Sequence, residues 1–194
     1  MKMTKWLVVF VLTAWLALPA LAQIDPELLK KAEAGDAEAQ FKLGAIYRTG
    51  DDGVAQNDAE ALKWSRKAAQ QGHVMAQVNL GLMYEQGQGI AQNYAEAVKW
   101  YRKAAEQGNA VAQYDLGVMY AYGQGVAQSA AEAMKWFRKA RQQGLAEAQV
   151  NLGIVGYDNG LGVARNEAEA VNWYRKAAEQ GNEIAKAALK AMGK

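Results

Sequence analysis

The dipeptide Leu-Gly recurs at Leu43-Gly44, Leu80-Gly81, Leu116-Gly117 and Leu152-Gly153, with the glycines 37, 36 and 36 residues apart. A tryptophan keeps the same period at Trp64, Trp100, Trp136 and Trp173, as does a further glycine at Gly35, Gly72, Gly108, Gly144 and Gly181. Three landmarks on one spacing restrict the chain to an array of short units. Each unit is too small to bury its apolar face alone, so neighbours must stack into a continuous core. The expected class is all-α, an α/α solenoid of four helix-pair repeats with a single capping helix at each end. The repeats fall at 36–72, 73–108, 109–144 and 145–181, and the capping helices at 23–35 and 182–194.

The second copy shows how one period divides. Ala76, Leu80, Gly81 and Tyr84 lie three to four residues apart, the spacing of one side of a helix. Gly87-Gln88-Gly89 ends that helix, since glycine takes the positive φ of a tight turn without a Cβ clash. Asn93 and Glu96 predict the next helix start as a capping box that satisfies two orphan backbone donors. The box recurs at Asn57/Glu60, Ser129/Glu132 and Asn166/Glu169. Ala97, Trp100, Tyr101 and Ala104 form the apolar stripe of the second helix, and Gly108 caps its end. Small residues, Gly81 and Ala104-Ala105, let the paired backbones approach closely.

The string Ala-Gln-x-x-Leu-Gly-x-x-Tyr, then Gly-x-Gly-Val, then Ala-x-x-Trp-Tyr-x-Lys-Ala-Ala-x-x-Gly resembles the Sel-one-like repeat, a relative of the tetratricopeptide repeat. Ala76 to Gly108 matches it almost throughout, and four copies cover Asp36 to Gly181. The resemblance implies a right-handed superhelix that acts as an adaptor or scaffold for protein partners. For exported bacterial members it implies host-interaction factors or immunity proteins that neutralise secreted toxins. A cysteine-rich branch is stapled by disulfides, and this chain, having no cysteine, stands outside it.

Some positions depart from the pattern. Gly50-Asp51-Asp52-Gly53 adds one residue to the first loop. The fourth copy carries one extra residue near Gly156, expected to give a bulge or an early helix end. Arg141 replaces the second alanine of Ala68-Ala69, Ala104-Ala105 and Ala177-Ala178, which suggests a position near solvent.

The N-terminal residues have the layout of an export signal. Lys2 and Lys5 precede 13 uncharged, largely apolar residues, Trp6 to Leu18, followed by Pro19 and the small residues Ala20 and Ala22. That stretch falls short of the ~20 residues of a membrane-spanning helix. Cleavage after Ala22 is expected, giving a periplasmic or secreted chain without stable membrane insertion; a retained anchor is the competing reading. The 22 basic and 20 acidic residues lose Lys2 and Lys5 with the signal, so the processed chain is formally neutral. It then has no electrostatic footprint for nucleic acid. Without disulfides, apolar packing alone must hold the fold.

Catalytic patterns are weak. His73 is the one histidine, at a helix boundary with no thiol or second imidazole to join it. Ser65 and Ser129 have no histidine repeating beside them. Gly87-Gln88-Gly89 and its relatives lack the Lys-Ser or Lys-Thr of a phosphate loop. Asp51, Asp52, Asn57, Asp58 and Glu60 lack the spacing of a calcium loop. No metal or small-molecule cofactor is expected. An enzyme acting on the cell wall or on β-lactams is a minor alternative, because no nucleophile or base is positioned for it.

Two faces offer binding surfaces. Lys63/Arg66/Lys67, Lys99/Arg102/Lys103, Lys135/Arg138/Lys139 and Arg175/Lys176 form a basic ridge on the second helices, explained by the helix dipole and by Glu60, Glu96 and Glu132 three residues before a lysine. On the first helices, 100° per residue turns Phe41, Ala45 and Arg48 away from Ala39, Leu43 and Tyr47. Val78, Leu82 and Glu85, then Tyr114, Val118 and Ala121, then Val150 and Ile154 are the equivalents. The resemblance puts first helices on the concave face, where this row would be a groove for a protein or peptide partner. Tyr114 is its expected centre, and Lys42, Asn79, Asp115 and Asn151 its polar rim. Packing between repeats is the competing account of the same apolar row.

Overall fold

The computed structural model describes residues 24–157 and 166–194; the export-signal reading at 1–22 lies outside them. These residues form ten α-helices: α1 Pro26–Glu33, α2 Ala37–Thr49, α3 Asp58–Gln70, α4 Val74–Gln86, α5 Tyr94–Glu106, α6 Ala110–Tyr122, α7 Ala130–Gln142, α8 Ala146–Tyr157, α9 Glu167–Glu179 and α10 Glu183–Ala191. No strand occurs among the described residues. The chain is an all-α solenoid. First helices α2, α4, α6 and α8 make one layer, and second helices α3, α5, α7 and α9 the other. Each first helix packs on its own second helix and, after the first repeat, on the second helix before it. α1 and α10 close the two ends against α2 and α9. Successive apolar clusters run along the array, from Leu43, Trp64 and Leu80 through Tyr101 and Leu116 to Phe137, Leu152 and Tyr174.

The Leu-Gly glycine is what lets a helix pair close. A Cβ on Gly81 would stand 2.6 Å from the Tyr101 ring, and one on Gly117 would stand 2.6 Å from Phe137. The residue after each second-helix tryptophan therefore lays its side chain on bare backbone. In repeat 1 that residue is Ser65, fully buried, with no hydrogen-bond partner for its hydroxyl.

A ladder of glutamines joins the layers. Gln40, Gln77 and Gln113 are each only 4% exposed. Their Nε2 atoms donate to Ala32, Ala69 and Ala105 carbonyls at 3.0, 3.2 and 3.1 Å, capping the last turn of the preceding helix. Their Oε1 atoms accept from Gln71, Gln107 and Gln143 at the end of their own second helix, at 2.7, 2.8 and 2.8 Å. Gln149 accepts likewise from Gln180 at 3.4 Å. Gln77→Leu is expected to cost about 1–2 kcal/mol in a urea melt, because it orphans buried polar groups. Gln107→Ala, at the exposed end of the pair, should cost about 0.5 kcal/mol or less. Equal losses would remove the ladder's role in stability.

One sequence expectation needs adjusting, and three local departures take a definite form. Only one half of the capping box forms. Asn57, Asn93 and Ser129 side chains accept from the N–H groups of Glu60, Glu96 and Glu132. Their own N–H groups instead donate to Tyr47, Tyr84 and Tyr120 carbonyls on the helix before, at 2.8–2.9 Å. The extra residue of the first loop is taken up in a short 3-10 turn, Asp51–Gly53. α8 is helical through Gly156 to Tyr157, and the residues that follow, where an early helix end would fall, lie outside the described ones. Arg141 is half-buried, like its counterpart Ala178 and unlike the buried Ala69 and Ala105, and it lays its guanidinium over the Trp173 ring at 4.7 Å.

Candidate functional site

Each first helix after the first repeat is clasped between two second helices and flanked by the next repeat, which leaves one open stripe. Steps of four, three and four residues trace it: Met75, Asn79, Leu82 and Gln86 on α4, Val111, Asp115, Val118 and Tyr122 on α6, and Glu147, Asn151 and Ile154 on α8. α2 contributes Glu38, Lys42, Ala45 and Thr49. The stripe holds four of the large apolar side chains that are exposed: Met75 at 43%, Val111 at 45%, Tyr122 at 70% and Ile154 at 38%. Met75 and Val111 stand at one end of the stripe and Tyr122 and Ile154 at the other, and exposed apolar side chains grouped in this way mark an interface.

The structure divides the expected groove residues in two. Lys42, Asn79, Leu82, Asp115, Val118 and Asn151 lie on the open stripe, half-buried or exposed. Phe41, Val78, Tyr114 and Val150, each one residue earlier, turn toward the following repeat. Val78 and Val150 are buried and lie beneath the face, a correction to their expected contact with a partner. Phe41 stacks on His73 with ring centroids 4.6 Å apart. Tyr114 packs against Phe137 at 5.7 Å, and its hydroxyl accepts from Asn151 Nδ2 at 3.1 Å, bridging repeats 3 and 4. Counting 100° per residue gave the direction of each side chain relative to its own helix. It carried no information on which flank the next repeat would cover, and that shifts the open stripe by one residue.

His73 is a helix cap. Its Nδ1 accepts from the Ala76 N–H at 3.2 Å, which leaves Nε2 to donate to Glu38 at 2.9 Å. Hydrogen bonds from His73 and then Lys42 hold the Glu38 carboxyl below the usual range. Among the described residues no group of three His, Cys, Asp or Glu side chains has the arrangement to hold a metal ion. None of the described helices is long and apolar enough to cross a membrane.

Two features stand side by side on the open stripe. Ala121, Tyr122, Gln128, Phe137, Asn151, Ile154 and Val155 line a hollow of about 260 Å³ between repeats 3 and 4. Nearby, Asp115 makes no hydrogen bond or ion pair, and burial, followed by the Glu85 charge, pushes its carboxyl up to about 7. Glu85 accepts from the Tyr101 hydroxyl at 2.6 Å. Burial, then that bond, raises the Tyr101 phenol far above its ordinary range. Tyr122 and Gln128 were missed in the sequence because they lie at or beyond the Gly123 turn, where a side chain reads as loop; for Tyr122 the i+7 spacing from Asp115 was the available signal.

The basic ridge on the other layer is occupied by its own contacts. Lys63 and Lys135 pair with Glu60 and Glu132 at 2.9 and 3.2 Å. Lys67, Lys103, Lys139 and Lys176 lie over Trp64, Trp100, Trp136 and Trp173 at 4.2–4.7 Å.

A family model described as Sel1 repeat matches residues 37–73, 74–109, 110–145 and 146–182. Among solved structures, the fold is similar to a protective antigen of uropathogenic Escherichia coli with an SLR fold, at TM-score 0.76 and 45% identity, covering 82% of this chain and 34% of that one. A Sel1 repeat protein from Oxalobacter formigenes gives 0.72 and 39%, over 86% and 72% of the two chains. An immunity protein from Pseudomonas aeruginosa gives 0.50 and 26%, over 86% and 64%. A curated relative, chitin synthase regulatory factor 3 of Schizosaccharomyces pombe, is 42% identical over 59 residues, which are 30% of this chain and 6% of that protein. The chain thus spans about a third of the antigen and a small fraction of the yeast factor.

Proposed function

Since the chain belongs to the Sel1 repeat family, we propose that it is an exported, non-catalytic adaptor that binds a protein partner on the open stripe of its first helices. The observation that carries this reading is the set of exposed apolar side chains on the open stripe, Met75 and Val111 at the starts of α4 and α6 and Tyr122 and Ile154 around the hollow near the ends of α6 and α8. Export is supported by Lys2, Lys5, the uncharged run Trp6 to Leu18 and the small residues Ala20 and Ala22. Periplasmic or extracellular location follows from it.

Cross-linking in the producing cell tests both parts. The recovered chain should begin at Gln23 by mass, and the wild type should capture a stoichiometric partner. Tyr122→Ser combined with Ile154→Ser should melt within a few degrees of wild type, since both side chains are exposed, and should lose that partner. Retention of the partner by the double variant would rule out the stripe as its docking surface.

A second reading, neutralisation of a secreted toxin, draws support from the likeness to the Pseudomonas aeruginosa immunity protein. A gene for a secreted effector beside this one, whose toxicity the chain suppresses, is the outcome that favours it.

A further inference from the structure

The first helices of repeats 2 to 4 carry Glu85, Asp115 and Glu147 and no lysine or arginine. The cations on the described helices of those repeats stand on the second helices, where lysines pair with glutamates or cover tryptophan rings and Arg102 donates to the Tyr120 hydroxyl. The described helices of repeats 2 to 4 are therefore polarised across the thickness of the array, acidic on the side of the open stripe and basic on the ridge, while α2 carries Lys42 on the stripe. Asp115 has no partner, and the Glu85 carboxylate has only the Tyr101 hydroxyl. Covering these carboxylates with an apolar partner would strand charge without compensation, whereas a cation would neutralise it.

Asp115 and Tyr122 are seven residues apart on one face of α6. Two turns place them roughly 10 Å apart along the axis, the reach of about three extended residues. The hollow beside Tyr122, about 260 Å³, is smaller than the ~300–1,000 Å³ of small-molecule pockets. It suits one large side chain. Resting on the reading of the first-helix stripe as a docking surface, we propose that the partner supplies an extended segment with a lysine or arginine against Asp115 and Glu85 and, about three residues away, a large apolar side chain in the hollow between Tyr122 and Ile154. The stripe then reads a cation and an apolar anchor at a fixed separation, which a neutral or acidic segment cannot match.

Selection of a displayed random peptide library on the purified, exported protein tests this, with fluorescence polarisation of the enriched peptides. Enriched sequences should carry Lys or Arg about three residues from Leu, Ile, Met or Phe. Asp115→Asn with Glu85→Gln should weaken them at least tenfold while the protein still melts cooperatively, and Tyr122→Ser with Ile154→Ser should do the same. Enriched peptides without a cation, or indifferent to Asp115 and Glu85 yet dependent on Tyr122 and Ile154, overturn the cation site and leave the adaptor reading standing. Binding lost only on changing Lys99 and Lys103 of the ridge overturns both. No enrichment from a protein that still captures a partner through Tyr122 and Ile154 overturns the linear segment alone.

Discussion

Gly125→Ala is expected to destabilise the array by about 3–5 kcal/mol, and Gly108→Ala by only about 1 kcal/mol, although both glycines hold positive φ. Gly108 has φ +94 and open space where a Cβ would stand, so alanine there meets the backbone penalty alone. Gly125 has φ +70, and a Cβ would lie 2.3 Å from the Tyr94 carbonyl carbon and 2.6 Å from the Ala95 nitrogen. Those atoms are the first turn of α5, fixed backbone that cannot swing aside. The repeat-3 loop thus rests directly on the second helix of repeat 2, and Gly89 rests in the same way on Asp58. Urea melts of the two variants check this. If Gly125→Ala loses no more than Gly108→Ala, the loop seat is softer than the structure has it.

Asp115→Asn should raise stability at pH 8 by on the order of 2–4 kcal/mol and change little at pH 4. The folded carboxyl titrates at about 7, against ~3.9 for an unfolded aspartate. Between those values the folded chain holds a proton that the unfolded chain has lost, so wild-type stability falls as pH rises through that window. Below ~4 both states are protonated and the difference vanishes; above about 7 the cost is complete. The groups around Asp115 are Glu85 on α4 and Tyr101 on α5, with Tyr114 beside it on α6; Glu147 on α8 acts on Tyr114. None supplies a positive charge. Melting temperature should rise by roughly 5–10 °C at pH 8. An equal rise at pH 4 would mean that packing, not the buried charge, is responsible. The same variant should bind the basic segment less well, so that stability and binding move in opposite directions.

The fold was legible because its signals are few and strictly spaced. Glycine at Gly81, a ring at Tyr101 and a cap at Asn93 each admit few alternatives, and each repeats. The glutamines at Gln40, Gln77, Gln113 and Gln149 repeat just as strictly. Their role was hidden because a polar residue at a helix start reads as solvated until the preceding helix end is placed over it. The open stripe was legible only to within one residue. Helical angle follows from sequence, but the side of Phe41 and Tyr114 that the next repeat covers depends on the rotation between repeats. Arg141 shows the same limit: its charge argued for a position near solvent, and the residue is half-exposed, but its contact with the Trp173 ring depends on how the repeats are placed.

The glutamine ladder bears on how such an array changes length. Every polar contact it makes lies within one repeat or joins that repeat to the helix just before it. Splicing a whole 36-residue unit in or out therefore rejoins each amide to an equivalent carbonyl, and no buried group is orphaned. Excising a single helix leaves a glutamine facing nothing. Unequal crossing-over between copies would thus yield folded proteins when it occurs in register and unstable ones otherwise, and the docking face would lengthen or shorten in whole steps.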